Sequence, residues 1–329
     1  LLTTAACADS SSIKEAFQNG KISGDVSLYG ENLSKSGSNK DSGFTMSSIG
    51  LAFETDSFNG FKGAISVRSN HKFNEKEKND YSNGTDPEVA LATANISYST
   101  DKATIIAGRQ EIDLEWIGDF HEAVVGVLTY VPDTTIVVGH TERFMEVNSD
   151  EALQEMAEFG TDNNGATVID AKYEGIENTV INPYFMDVKD TFSAYGLKAT
   201  TSVSGIDLTA HYAATNEDVA GTKDGSIAHL EIGTTVSDIA LNAGYITTDK
   251  DGGIGSINAI GDNIEPTEDL DGSVYAVDAD TLYAGIAAEI SSVNLSALYT
   301  TVQYGSNNNR DSEIVLTAGT AINDELSID

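Results

Sequence analysis

The stretch "TLYAGIAAEISSVNLSALYTT", Thr281 to Thr301, decides how this chain folds. Leu282, Ala284, Ile286, Ala288 and Ile290 share one parity, while Tyr283, Gly285, Ala287 and Glu289 share the other. After Ser291-Ser292, the residues Val293, Leu295, Ala297 and Tyr299 alternate with Asn294, Ser296 and Leu298. Successive side chains of a strand point to opposite faces, so a two-residue period reads as two strands joined by a tight turn at the serines. One face is apolar and the other small or polar. The apolar face needs a partner, either a second protein layer or lipid.

The same rhythm runs along most of the chain. Segments of roughly 10 to 13 residues alternate in polarity between turn residues, whereas strands of soluble proteins average about five or six and a tilted membrane crossing takes about 9 to 11. The connections are sorted by length. "VPDT" at 131–134, "GIEN" at 175–178, "VSG" before Ile206, "SD" before Ile239 and "SS" before Val293 are short. Alternating with them are long connections such as 74–88, 145–164 and 251–280. Short turns at one end and long loops at the other are the asymmetry of outer-membrane barrels; a soluble sandwich has no reason for it. The expected fold is all-β, an antiparallel up-and-down transmembrane β-barrel with about sixteen strands visible here.

Parity assigns the faces. In 205–216, Ile206, Leu208, Ala210 and Tyr212 oppose Asp207, Thr209 and His211, and in 225–237, Ala228, Leu230 and Ile232 oppose His229 and Glu231. In 60–73 and 165–175 the polar face carries Lys62 and Arg68, then Asp170 and Lys172. Charges on so many strands are costly in a dry core, so this face is expected to line water, with Glu289 pointing the same way. Tyr29, Tyr98, Tyr130, Phe144, Tyr173, Tyr212, Tyr245 and Tyr299 fall near strand ends, as interfacial aromatics do. One piece departs from the pattern. "MEVNSDEALQEMAEFG" offers Asn148 as an N-cap, Glu151 three residues on and Gly160 as a stop, and predicts a short helix in an outside loop, with folding into the lumen as the sharper version.

Composition excludes several functions. With 52 acidic against 18 basic residues and a net charge of −34, the chain lacks the clustered Lys and Arg that nucleic acid or anionic headgroups require. A single cysteine, Cys7, rules out a disulfide framework. It lies in "LLTTAACADSSS", which reads as the end of a secretory leader, so residues 1–8 are expected to be leader and 9–329 one barrel domain. The five histidines are scattered, no zinc spacing or nucleophile elbow occurs, and neither an enzyme nor a cofactor is expected. Asp249 and Asp251 in "DKDGG" are weak Ca²⁺ candidates that do not match the helix-loop-helix ligand pattern.

The most charged strand end is "AGRQEIDLEWIGDFHEAVVGV", Ala107 to Val127, where Arg109 is followed by Glu111, Asp113, Glu115, Asp119 and Glu122 around Trp116. It falls at the third outside loop, and charged groups at a narrow point set ion selectivity. Together with "ALATANISYSTDK" before it, this stretch resembles the campylobacterial-type major outer-membrane porins, relatives of the OprD-like porins. The likeness covers chiefly residues 20–145. It implies a homotrimeric, cation-preferring diffusion channel for ions and small hydrophilic solutes, set among lipid and lipopolysaccharide in the outer membrane. By position Arg109 would be a basic wall residue, with Glu111, Asp113, Glu115 and Asp119 the acidic side of the constriction. The family usually has eighteen strands and a terminal aromatic. This chain ends "AINDELSID", so its last hairpin is expected to be missing. The competing expectations are a surface adhesin with acidic, Ca²⁺-binding loops and an enzyme built on a barrel.

Overall fold

A computed structural model describes residues 9–33, 40–82, 86–160, 163–323 and 326–328. The leader reading of residues 1–8 lies outside them. The strands run antiparallel, up and down, each beside its neighbour in sequence. Among the described residues, sixteen of the eighteen strands have nine to fifteen residues, and the remaining two have two and three.

Packing divides the chain into two units. The first takes residues up to Leu114, Gly118–Tyr130 and Val137–Ala166. It holds α1 (Ile13–Gln18), β1 (Lys21–Leu33), β2 (Ser42–Glu54), β3 (Phe61–Glu75), β4 (Val89–Ser99), β5 (Ala103–Glu111), β6 (Phe120–Leu128), most of β7 (Thr134–Met145) and the short β8 (Ala157–Glu158). The second takes Glu115–Ile117, Val131–Ile136 and everything from Thr167. Its strands are β9 (Ala166–Ile176), β10 (Thr179–Val188), β11 (Phe192–Val203), β12 (Ile206–Glu217), β13 (Ser226–Val236), β14 (Ile239–Thr248), β15 (Asp280–Ile290), β16 (Val293–Tyr304), β17 (Asn309–Asn323) and β18 (Leu326–Ile328). A 3₁₀ turn, Ile257–Ile260, and the one-turn α2, Asp271–Val274, sit in its longest loop.

In both units the large apolar side chains of one parity are exposed. Ile22, Val26 and Leu28 of β1, Ile49 and Leu51 of β2, Leu230 and Ile232 of β13 and Leu282 and Ile286 of β15 all belong to this set. Water would penalise each such residue by roughly 1.5–3 kcal/mol relative to burial. A continuous band of them suits hydrocarbon. The opposite face carries the polar side chains: Tyr283, next to Leu282 in sequence, is 6 % exposed against 57 % for Leu282. Seven of the eight end aromatics are exposed beside the band. Phe144 is the exception, turned inward against His121 (ring centroids 6.0 Å apart) and Phe159 (5.6 Å).

Among the described residues four of the short turns have both central residues in the left-handed region: Asn59-Gly60, Ser204-Gly205, Ser237-Asp238 and Ser291-Ser292. That geometry matches the strand twist of a two-residue hairpin. It is unfavourable for the serines, whose φ values are 50° and 65° at Ser291 and Ser292. The hairpin closes nonetheless because Ile290 pairs with Val293 and the ladder continues to Asp280 and Gln303.

The predicted helix at 148–160 does not form. The carbonyls of Asn148 and Glu151 accept the side-chain amide of Asn70 on β3, at 2.9 and 2.7 Å. Ser27 of β1 donates to the Ser149 carbonyl at 3.0 Å. Leu153 is buried with Ala90, Ala92, Met145 and Val147, and Ala157–Glu158 pairs with Arg143–Phe144. Acceptors that a helix would use internally are thus taken by the wall, and the segment lies extended along the polar face of β1, β3 and β4. The inward-folding version of the expectation survives without its helix.

Two outcomes test this layer. Leu230→Arg, at the middle of β13 on the apolar face, lowers stability by about 2–4 kcal/mol in vesicles, read by urea unfolding. Ser292→Gly relieves roughly 1–2 kcal/mol of left-handed strain against about 0.5–1 kcal/mol of glycine entropy, so the urea midpoint rises.

Candidate functional site

A glycine on one strand acts as a saddle over which side chains of its two flanking strands meet. In the first unit Asp25, Gly50 and Arg68 stand opposite one another on β1, β2 and β3. Arg68 grips both Asp25 oxygens at 2.7 and 2.9 Å and donates to Ser48 Oγ at 2.6 Å. A Cβ on Gly50 would lie 2.5 Å from Asp25 Oδ1 and 2.8 Å from Arg68 Nη2. In the second unit Glu231, Gly244 and Tyr283 are aligned on β13, β14 and β15. The Tyr283 ring covers Gly244, where a Cβ would fall 2.2 Å from the ring. Its hydroxyl donates to Glu231 Oε2 at 2.6 Å and accepts from His229 Nε2 at 2.7 Å. Since a carboxylate only accepts, the proton order is His229 to Tyr283 to Glu231.

A mirror arrangement stands on the next strands. Tyr184 of β10 covers Gly196 of β11 and reaches His211 Nε2 on β12 at 2.7 Å. Trp116 Nε1 donates to the same hydroxyl at 3.0 Å, so Tyr184 bridges Trp116 and His211. Trp116 is fully buried with φ at 62°, its ring 6.0 Å from Tyr275 and 6.3 Å from His211. Register places Asn182, Lys198, His211 and His229 side by side across β10 to β13. Lys198 pairs with Glu115 at 3.0 Å, and Asn263 donates to the same carboxylate. The Glu115 side chain is only 8 % exposed. Asp170 accepts from Asn182 at 2.9 Å within the same buried wall.

The loop from Asp249 to Ala279 closes over this wall. Ile254, Ile257, Ile260, Ile264 and Val274 are buried, so the loop carries its own apolar footing. Glu217 accepts from the backbone and hydroxyl of Ser256, each at 2.8 Å. Thr300 donates to the Pro266 carbonyl at 2.6 Å, and Glu313 accepts the N–H groups of Glu268 and Asp269 at 2.9 and 3.0 Å. Lys198, His211, His229, Glu231, Asn263 and Tyr283 border a cleft of about 430 Å³ between loop and wall.

The expected constriction residues are not gathered into one cluster. Arg109 pairs across strands with Glu122 at 2.7 Å and donates to the Leu91 carbonyl at 2.7 Å, while Arg143 holds the other Glu122 oxygen. Glu115 belongs to the second unit's wall, Glu111 and Asp113 are exposed, and Asp119 is half-buried with φ at 69°. Of the expected lining, Lys62 is tied to Glu54 at 2.8 Å, and Lys172 and Glu289 are exposed. The Ca²⁺ candidates do not converge: Asp249 accepts the N–H groups of Asp251 and Gly252, which hold its carboxyl below the usual range, and Asp251 pairs with Lys250 at 3.3 Å. Among the described residues no group of three or more His, Cys, Asp or Glu could hold a metal ion. Lys198, Asn263, Tyr184 and Tyr283 escaped the sequence reading. The parity of the three strand residues was visible, but the partners of all four depend on register and on a loop path.

No protein-family model matches the chain, and no curated protein matches it. Solved structures do. Pseudomonas aeruginosa OpdO aligns with TM-score 0.77 at 12 % identity over 94 % of this chain and 88 % of its own. P. aeruginosa OccK8 (OprE) aligns at 0.75 and 12 % over 93 % and 90 %, and Acinetobacter baumannii OccAB4 at 0.74 and 13 % over 93 % and 88 %. The fold is that of an OprD-like β-barrel porin. The exposed apolar parity is then the outside of a barrel wall, and the saddles and folded loops are its inside. The solved porins come from Pseudomonas and Acinetobacter, so the likeness supports the broader OprD-like reading.

Asn263→Ala tests the closure. A hydrogen bond to a charged group contributes about 1.5–3 kcal/mol and about 1.4 kcal/mol is tenfold, so cleavage within 251–279 in a limited-proteolysis assay rises about tenfold or more.

Proposed function

We propose that this chain is an outer-membrane diffusion channel of the bacterial cell, water-filled and cation-preferring, for ions and small hydrophilic solutes. Residues 9–329 act as one barrel domain, assembled as a trimer among lipid and lipopolysaccharide, and the campylobacterial-type resemblance of residues 20–145 favours that branch of OprD-like porins. No chemical step is involved. Passage is governed by size at the folded loop and by fixed charge on the wall.

The observation that carries this reading is the Glu115 carboxylate, held by Lys198 and Asn263 on the polar wall beneath the loop 251–279. Among the described residues bordering that cleft Lys198 is the one Lys or Arg, and its charge is balanced by Glu115. Glu231 borders the same cleft, accepts from the neutral side chains of Tyr283 and Asn242, and leaves its balance negative. Glu111 and Asp113 add exposed negative charge on the constriction stretch. A negative wall in a narrow, water-filled passage concentrates cations and repels anions.

Planar-bilayer recording tests the proposal. Stepwise conductance with a reversal potential on the cation side under a salt gradient is expected. Reversing the charges of Glu111, Asp113 and Glu115 together moves that potential toward zero. Silent bilayers or anion preference overturn the function, and an unmoved potential removes these three residues from the selective stretch.

A further inference from the structure

We propose that α1 is an interfacial anchor that lies on phospholipid at the short-turn rim of the barrel, on its outer side. The inference deepens the membrane reading and rests on it. The helix is capped by Ser12, whose hydroxyl accepts from Glu15 N–H at 3.2 Å. It is strapped to the short turn after β2: Asp56 N–H donates to the Ala16 carbonyl at 3.0 Å, Ser10 N–H to the Ser57 carbonyl at 2.8 Å, and Ser10 Oγ to Asp56 at 2.7 Å. Ala16, 4 % exposed, is the face turned to the protein.

An adjoining face is apolar and open. Ile13 and Phe17, one turn apart, are 63 % and 59 % exposed. The Phe17 ring lies 5.9 Å from that of Phe53. Phe53 continues the outward parity of Ile49 and Leu51 on β2 and stands opposite Ile22, itself 81 % exposed. Phe17 is therefore joined to the end of the apolar band, on the lipid side of the wall. Gly20 makes the approach possible, since a Cβ there would lie 2.6 Å from the Phe53 ring.

The occupant follows from that continuity. Phe61 and Tyr98, their tilted rings 4.7 Å apart and exposed at the same rim, extend the band beside the helix. Lys14 is exposed beside the apolar pair, where a phosphate group would stand. An amphipathic segment of this kind rests with its apolar side about 5–10 Å into the boundary between headgroups and acyl chains. The expected partner is a phospholipid leaflet rather than a second copy of the chain.

Tryptophan fluorescence in vesicles of brominated phosphatidylcholine tests the anchor. Phe17→Trp, Ile13→Trp and, as a mid-band control, Val26→Trp are each compared with the parent, whose Trp116 is fully buried. Phe17→Trp and Ile13→Trp are expected to emit at shorter wavelength than in water. They should lose more intensity to bromines near the glycerol end of the acyl chain than to bromines near its methyl end. Val26→Trp shows the opposite depth preference. Water-like, unquenched emission at both helix positions overturns the proposal. So does emission shielded from aqueous acrylamide yet untouched by bromines, which would mean protein contact. If Val26→Trp is quenched and the helix positions are not, the anchor alone falls; if Val26→Trp is also unquenched, the membrane reading falls with it.

Discussion

A peptide group that faces hydrocarbon has no water to bond, so each N–H and C=O of a spanning strand must find its partner on a neighbouring strand. Everything else in this protein is arranged around that constraint. Side chains are released from holding the backbone together and can be sorted by parity alone. Apolar residues take one side, and the polar side becomes a surface on which side-chain networks are built. The long ladders from β10 to β17, with uninterrupted register over nine or more residues, are the framework that makes such networks repeatable.

Because the backbone is fixed first, contacts on the polar face are governed by which residues the register sets opposite one another. Glu231, Gly244 and Tyr283 are separated widely in sequence but share one rung. Tyr184 and Tyr283 approach β12 and β13 from opposite sides, each lying over a glycine and each ending on a histidine. The Glu115–Lys198–Asn263 contact then ties two loop segments to that wall. The wall orders the loops.

Much of this was legible in the sequence because parity is a local property. Leu282 and Tyr283 fell on opposite faces as their alternation required, and Ser291-Ser292 formed the tight turn. Loop sorting gave the barrel class. What escaped was non-local. "MEVNSDEALQEMAEFG" has the marks of a helix, yet Asn70, far away on β3, takes the carbonyls that a helix needs. The loop after Lys250 reads as acid and glycine, yet Ile254, Ile257 and Ile260 give it a buried footing. Glu115 could be recognised as a charged loop residue, but nothing near it in the chain announces Lys198. Phe144 had the position of a rim aromatic and instead packs inward against Phe159.

The saddle has a consequence for how such a protein can diverge. Adding a methyl group at Gly50 would collide with both of the side chains that meet there, and at Gly244 with the Tyr283 ring that lies across it. The residues at the two ends, by contrast, bond to side chains, to each other and to Ser48 or His229, and the main chain beneath them is indifferent to their charge. Evolution can therefore exchange an acid and a base for two hydroxyls, or for a pair of aromatics, provided both ends change in concert. In an alignment of relatives the glycine would stand still while its flanking partners covary two strands apart. The preference of the passage could then be rewritten rung by rung without redrawing the ring.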